Sequence, residues 1–81
     1  MLKEVEMINI SDKGKLLPLR FRVDIDGQLE VVKVAMATFV EENNMCGNRM
    51  QIFRCRVANK GYLKDMKIFY EVDSCKWLIE N

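Results

Sequence analysis

The sequence predicts an all-β fold, a small antiparallel barrel or strongly curled meander of five to six strands. Three observations support this prediction. Polar and apolar residues alternate over several segments, which is typical of half-buried strands. Turn signals rich in Gly, Asn and Asp separate these segments. The chain of 81 residues is expected to form a single domain over residues 1–81, because a second domain would have too little interior to bury.

The clearest alternation lies in residues 19–25, where apolar side chains point one way and polar side chains the other. The apolar set is Leu19, Phe21, Val23 and Ile25. Pro18 is expected at the first residue of this strand, where its missing N–H does least harm.

Residues 24–27 are predicted to connect this strand to the next. Asp at the first position and Gly at the fourth indicate a type I turn closed by a glycine bulge. The pairs that this register predicts are Asp24–Gln28, Val23–Leu29, Arg22–Glu30 and Phe21–Val31. Val31 and Val32 are adjacent apolar residues, and Val34 continues the alternation of Val32 rather than that of Val31. The pattern therefore predicts a bulge near Val31–Val32 or burial on both faces.

Residues 35–48 support two interpretations. Residues 35–42 could continue the strand or form one or two turns of helix. The polar run 41–44 and the pair Gly47–Asn48 are typical of a loop. A strand followed by a loop is the favoured interpretation.

The alternation resumes at Arg49 and predicts two further hairpins. A turn at 59–61 gives the pairs Cys55–Met66, Phe53–Ile68, Arg56–Asp65 and Arg54–Lys67. Because each faces an apolar partner in the inferred registers, we expect five residues to be largely buried: Phe21, Val23, Phe53, Cys55 and Ile68. A turn at Asp73–Ser74 gives the pairs Val72–Cys75, Glu71–Lys76 and Tyr70–Trp77. The segment 5–10 alternates well enough to be a sixth strand, with its turn at 11–15. Strands joined by short turns must curl to bury one apolar face, as in barrels of SH3-like or OB-like size.

The charge balance excludes a protein that binds nucleic acid or a membrane surface through bulk charge. Thirteen basic and twelve acidic side chains give a formal net charge of +1. No apolar run approaches the length of about 18 residues that a membrane helix needs, and the first ten residues carry acids where a signal peptide would be apolar. The sequence therefore predicts a cytoplasmic protein without a membrane partner.

The inventory of catalytic side chains is small. Without any histidine, neither a Ser–His nor a Cys–His pair can form. Cys46, Cys55 and Cys75 are too few and too widely spaced for a disulfide framework or a tetrahedral zinc site, and we expect reduced, mostly buried cysteines. Arg54 and Arg56 flank Cys55 but point to the opposite face of a strand, so they would not activate its thiol.

The acidic pairs have structural explanations. Turn geometry accounts for Asp24/Asp26, a solvated loop for Glu41/Glu42, and cross-strand ion pairs for Asp65/Glu71. No glycine-rich phosphate loop occurs. We therefore expect neither an enzyme nor a cofactor, and no metal site.

One candidate binding face stands out, formed by four arginines on the outward faces of two strands. They are Arg20, Arg22, Arg54 and Arg56. If the two strands are neighbours, the arginines form one patch, and small barrels bind single-stranded nucleic acid through such a patch with stacking aromatics. The candidates for stacking are Tyr62, Phe69 and Tyr70. The favoured alternative is a solvated face balanced by Glu30, Asp65 and Glu71.

These observations favour a non-enzymatic module that binds a protein partner or itself, and a homo-oligomer is expected. The small core and the strand edges that benefit from pairing support this hypothesis. The rival hypothesis is a nucleic-acid-binding barrel that uses the arginine face.

Several stretches together resemble a group of short uncharacterised proteins from anaerobic Gram-positive bacteria. The stretches are LRFRV followed by DG, then VVKV, GNRMQIFRC and FYEVDSCKWLI, and the resemblance covers residues 19–79. The resemblance implies a small β domain of unknown function and assigns no site. The recurrent positions of that group would correspond to Arg20, Arg22, Cys55, Cys75 and Trp77.

Overall fold

The computed structural model describes residues 1–45 and 47–80, and these residues form six strands. In chain order the strands are β1 (Leu2–Asp12), β2 (Lys15–Ile25), β3 (Gln28–Met45), β4 (Asn48–Asn59), β5 (Tyr62–Glu71) and β6 (Lys76–Glu80). Each strand pairs antiparallel with its neighbours in sequence, and β6 pairs with β1. The sheet is therefore a closed barrel, which confirms the predicted small antiparallel barrel. Closure pairs the edge strands that an open meander would expose.

The interior of the barrel holds the main hydrophobic core, to which all six strands contribute. Its buried members are Val5, Phe21, Val23, Val32, Val34, Phe53, Cys55, Val57, Ile68, Trp77 and Ile79. Phe53 packs against Trp77 with the ring centroids 5.6 Å apart. The sequence-based expectation that Phe21, Val23, Phe53, Cys55 and Ile68 are buried is confirmed.

A second, smaller cluster lies on the opposite face of the sheet. It consists of Met50, Ile52 and Phe69, with Leu2 and Leu78 packed against it. Ile52 pairs with Phe69 and Phe69 with Leu78, so the cluster follows one row across β4, β5 and β6. Adjacent apolar residues in β4 and β5 thus bury side chains on both faces of the sheet.

The β2–β3 register differs by one residue from the sequence-based prediction. Asp24 pairs with Leu29 rather than Gln28, and Phe21 pairs with Val32 rather than Val31. The predicted pairs Val23–Leu29 and Arg22–Glu30 are also wrong, because Val23 lies opposite Glu30 and Arg22 opposite Val31. The pairing runs unbroken through Val31–Val32, so the predicted bulge there is wrong.

A two-residue turn explains this register. Asp26 and Gly27 are the central residues, with φ of 52° and 80°, as a type I′ turn requires. Gly27 N–H donates a hydrogen bond to Asp24 Oδ1 at 2.9 Å. With this turn, Val32 and Val34 both point into the core. The change in the alternation pattern at Val31–Val32 therefore reflects the position of the turn and not a bulge.

The irregularity in β2 lies at Pro18, which is inside the strand rather than at its first residue. Ile8 pairs with Arg20 and Asn9 with Pro18, so Leu19 is the additional residue of a bulge. A bulge is one of the few places in a sheet that tolerate the missing N–H of proline. Leu19 is 38% exposed, and as the bulge residue it does not share the buried face as expected. Ile25 does follow Val23 in the inward phase, but it lies at the open end of the barrel and is 48% exposed.

Residues 35–44 continue β3 as strand, and the strand interpretation is correct for this segment. The predicted loop over 41–44 is wrong, because these residues pair with residues 49–52 of β4. Two shifts of register, between Val34 and Met36 and between Phe39 and Glu41, bend this long hairpin.

The two C-terminal hairpins agree with the sequence-based registers. Lys60 and Gly61 form the β4–β5 turn, with φ of 49° and 81°, and all four predicted pairs occur. In the β5–β6 hairpin the pairs Glu71–Lys76 and Tyr70–Trp77 occur, whereas Val72 and Cys75 belong to the turn and do not form the predicted strand pair. The N-terminal strand is also confirmed, and it is longer than predicted.

Candidate functional site

The four arginines of the predicted binding face all point outward. Arg20 and Arg22 flank buried Phe21 on β2, and Arg54 and Arg56 flank buried Cys55 on β4. The condition for one patch was that β2 and β4 are neighbours. Instead, β3 lies between them. The structure therefore divides the arginines into two pairs.

One arginine of each pair forms an ion pair with a carboxylate of an adjacent strand. Arg22 pairs with Glu6 of β1, and Arg56 Nε lies 2.9 Å from Asp65 Oδ1 of β5. The hydrogen bond from Arg56 lowers the pKa of the Asp65 carboxyl below its ordinary value, and the Coulomb attraction adds to this. These two arginines are therefore part of a solvated, balanced surface rather than free contacts for phosphate.

The other two arginines lie beside lysines. Arg20 pairs across the sheet with Lys33, and Arg54 pairs with Lys67. Among the described residues, no carboxylate oxygen lies within 4.0 Å of either guanidinium. Two small basic areas thus remain, one across β2 and β3 and the other across β4 and β5.

Only one of the three candidates for base stacking is fully available. Tyr62 is 79% exposed, whereas Phe69 is buried in the second cluster. Tyr70 is partly buried and packs against Trp77, with the ring centroids 4.8 Å apart. A platform of several aromatic residues, which single-stranded nucleic acid commonly stacks on, is not formed by these three side chains.

The cysteines occupy two different environments. Burial raises the pKa of the Cys55 thiol to about 11, so very little of it is the nucleophilic thiolate at neutral pH. Cys75 is exposed, which corrects the expectation that it is buried, and its Sγ lies 3.8 Å from the carbonyl oxygen of Val72. Both thiols are free. The expectation for Cys46 lies outside the described residues.

The acidic pairs make local contacts rather than a joint site. Asp24 accepts the turn hydrogen bond from Gly27. Glu42 accepts a hydrogen bond from Gln51, which lowers the pKa of the Glu42 carboxyl, and it forms an ion pair with Arg49. Within residues 1–45 and 47–80, no group of three or more Cys, Asp or Glu side chains is arranged to hold a metal ion.

A different surface, which the sequence-based interpretation missed, carries a group of exposed apolar side chains. We call it the β2–β3 wall and define it by the outward residues Ile8, Arg20, Arg22, Leu29, Val31 and Lys33. Ile8, Leu29 and Val31 are 53%, 63% and 51% exposed. The pairs Ile8–Arg20 and Arg22–Val31 place each arginine beside an apolar side chain. A surface depression of about 420 Å³ lies among Ile8, Arg20, Arg22 and Val31.

The signal for this wall is present in the sequence. An Asp–Gly pair between alternating segments is the strongest indication of a two-residue hairpin turn. With that turn, Val32 and Val34 face inward, and strict alternation then sends Val31 and Leu29 outward. The predicted three-residue turn places Leu29 and Val31 opposite the core residues Val23 and Phe21 instead.

A second feature is an open cavity at one end of the barrel, near the turns Asp26–Gly27 and Lys60–Gly61. Its volume is about 570 Å³. Core side chains such as Val23, Val57 and Ile79 form its apolar floor, and lysines are present around it.

The described part of the chain contains no helix that could span a membrane. A comparison of the chain with protein-family models, with curated proteins and with solved structures found no match. The resemblance to the short proteins of anaerobic Gram-positive bacteria therefore stays a prediction.

Proposed function

We propose that this chain is a non-enzymatic interaction module that associates with a second copy of itself through the β2–β3 wall. The observation that supports this proposal is the grouping of exposed apolar side chains on one wall. Ile8, Leu29 and Val31 are each more than half exposed, although each lies within a paired strand. Apolar side chains grouped in this way are typical of protein-binding surfaces.

The charges on and beside this wall favour a second copy as the partner. Arg20, Arg22 and Lys33 are positive, whereas Glu6 and Asp24 are negative. Arg22 is already paired with Glu6 within its own copy. The charges that can match between copies are therefore Arg20 and Lys33 of one copy and Asp24 of the other, and a surface of mixed sign allows such a match around a two-fold axis. Arginine beside apolar residues is also a common composition at interface centres.

The non-enzymatic part of the proposal follows from the side-chain chemistry. The chain contains no histidine, and burial suppresses the thiolate of Cys55. The cytoplasm is the compartment we propose, since the thiols of Cys55 and Cys75 are free and a reducing environment keeps thiols in that state.

Sedimentation velocity over a wide range of protein concentration tests the proposal. We expect a reversible monomer–dimer equilibrium in the wild type. Val31→Glu should raise the dimer dissociation constant about a hundredfold or more, because dimerisation would then bury an unpaired charge. Val40→Glu is the matched control: Val40 is 45% exposed and lies on the same strand, nine residues and about 30 Å further along. Far-UV circular dichroism verifies that both variants fold.

Two results would contradict self-association: a wild type that stays monomeric at every concentration, and a dimer that Val40→Glu disrupts as strongly as Val31→Glu. A nucleic-acid role gives a different result. Fluorescence anisotropy with single-stranded DNA or RNA would show submicromolar binding at about 150 mM salt, with a salt slope of about −0.7 for each phosphate contact. Weakening of that binding by Arg54→Ala would refute the interaction-module proposal. We expect no such binding.

A further inference from the structure

The cavity at the barrel end has the size and lining of a small-molecule site. Its volume of about 570 Å³ lies within the range of known ligand pockets, roughly 300–1,000 Å³, and the mouth of a β-barrel is a common position for such pockets. Its floor consists of side chains from the main core, including Phe21, Val23, Val32, Val57 and Ile79. The floor is therefore apolar and is part of the main core.

Two lysines occupy inward positions at this mouth. Lys3 pairs with Ile79 and Lys64 pairs with Val57, and both of these partners are buried in the core. Directly paired residues point to the same face of a sheet, so both side chains leave the inner face of the sheet, and both line the cavity. They come from β1 and β5, which are separated only by β6.

The ammonium groups keep hydrogen-bonding capacity for a ligand. Lys3 Nζ donates one hydrogen bond, to the backbone oxygen of Asp24, and an ammonium group has three donors. Among the described residues, no carboxylate oxygen lies within 4.0 Å of Lys64. A third lysine of the lining, Lys60, is already paired with Glu30 at 2.8 Å.

The acids of the lining are placed differently. Asp24 accepts the turn hydrogen bond from Gly27 and pairs with Leu29 on the outer face. Glu80 pairs with Leu2, on the opposite face from the inward pair of Lys3 with Ile79. Asp26 lies at the tip of the β2–β3 turn. Glu30 lies opposite core residue Val23 and faces inward, but it is paired with Lys60. Of the charged residues whose direction the strand pairs give, Lys3 and Lys64 are thus the ones that face the mouth without a carboxylate partner.

Apolar surface at the rim is open to solvent. Ile25 is 48% and Tyr62 79% exposed, and both line the cavity. An aliphatic chain in the cavity would cover these two side chains and continue onto the core floor, which stabilises binding by removing apolar area from water.

We propose that the barrel mouth binds a small amphiphilic carboxylate. Its aliphatic chain lies on the apolar floor, and its carboxylate accepts charge-assisted hydrogen bonds from Lys3 and Lys64. This site lies inside the barrel end and is separate from the outward-facing β2–β3 wall.

Isothermal titration calorimetry and ¹H–¹⁵N NMR with decanoate test this proposal, with decanol and decyltrimethylammonium as the neutral and cationic probes. Decanoate should bind most tightly and the cation least. The amide resonances that shift should be those of the mouth, such as Val57 and Ile79. Lys64→Gln should weaken decanoate binding about tenfold, since it removes a hydrogen bond between charged groups, and should leave decanol binding unchanged.

Lys67→Gln is the control, because Lys67 lies on the same strand but pairs with outward-facing Arg54. It should change none of the affinities. The proposal is overturned by an absence of saturable decanoate binding, by shifts confined to the β2–β3 wall, or by equal weakening from both lysine variants. The same titration in Val31→Glu separates this site from self-association, because the mouth should bind decanoate equally well in that variant.

Discussion

Deletion of the Phe53 ring is the most direct test of the core. Phe53 is 3% exposed; its ring lies 5.8 Å from that of Phe39 in an edge-to-face arrangement and 5.6 Å from that of Trp77. Substitution of a buried Phe by Ala typically costs about 3–5 kcal/mol, and loss of the two aromatic contacts places this site in the upper half of that range. A domain of 81 residues has a free energy of unfolding of about 4–12 kcal/mol. Phe53→Ala should therefore remove a large fraction of the stability.

Urea denaturation followed by far-UV circular dichroism and by the fluorescence of Trp77, the single tryptophan, measures this loss. Phe39→Ala is the matched control, because Phe39 contacts the same ring but is 53% exposed. It should cost about 1–2 kcal/mol. If Phe53→Ala does not fold, Phe53→Leu should still show a cooperative transition, with a loss of about 1–2 kcal/mol.

The reasoning is refuted if the free energy of unfolding of Phe53→Ala lies within about 1 kcal/mol of the wild-type value, since removal of a buried Phe ring typically costs about 3–5 kcal/mol. Equal losses from Phe53→Ala and Phe39→Ala would refute it in another way. They would mean that the difference in exposure between the two rings does not determine how much each ring contributes to stability.

Three further predictions concern a turn, the thiols and an ion pair. Gly27→Ala should lower the free energy of unfolding by about 1–2 kcal/mol, because φ is 80° there and a Cβ is strained in the left-handed region; urea denaturation checks this. In a Cys46→Ser background, iodoacetamide should alkylate exposed Cys75 in the native protein and buried Cys55 only after unfolding, as counted by mass spectrometry. The pKa of the Asp65 carboxyl is lower in the folded state than its ordinary value of 3.8. Asp65→Asn should therefore reduce stability at pH 7, and the difference from wild type should shrink as pH falls below about 4 and through the folded-state pKa. A difference that grows at acidic pH would contradict this sign.

Local signals in the sequence predict the C-terminal half of the barrel well. The turn at Lys60–Gly61 and the alternation around it are enough to predict the register that places Cys55 opposite Met66. The turn near Asp73 likewise predicts the pair Tyr70–Trp77. Both hairpins connect neighbouring segments, so the pairing depends on short-range turn chemistry and on side chains that face each other directly.

The β2–β3 register shows where local signals are not sufficient. The segment Asp24–Gly27 fits both a three-residue and a two-residue turn when it is considered alone. The choice depends on Val32 and Val34, which the two-residue turn directs into the core with Phe21. A one-residue shift exchanges the inner and outer faces of a strand, so the wrong turn also concealed the exposed β2–β3 wall.

The candidate arginine face was predicted only in part. Alternation with Phe21 and Cys55 predicts that the four arginines point outward, and they do. Their division into two pairs follows from the position of β3 between β2 and β4. The ion pair of Arg22 with Glu6 depends on contact between β1 and β2. The predicted three-residue turn sets Arg22 opposite Glu30 instead, so it does not indicate Glu6 as the partner.

The sequence by itself determines the class of fold, the buried identity of residues such as Phe21 and Phe53, and two of the hairpin registers, because alternation and turn chemistry act between residues close in the chain. The tertiary structure decides the closure of β6 onto β1, the position of β3 between the arginine pairs, and the convergence of Lys3 and Lys64 at the barrel mouth. These features join residues that are far apart in the chain, such as Leu2 and Glu80, which pair across the closure. Such contacts depend on how the whole sheet twists and closes, and no local pattern in the chain encodes that geometry.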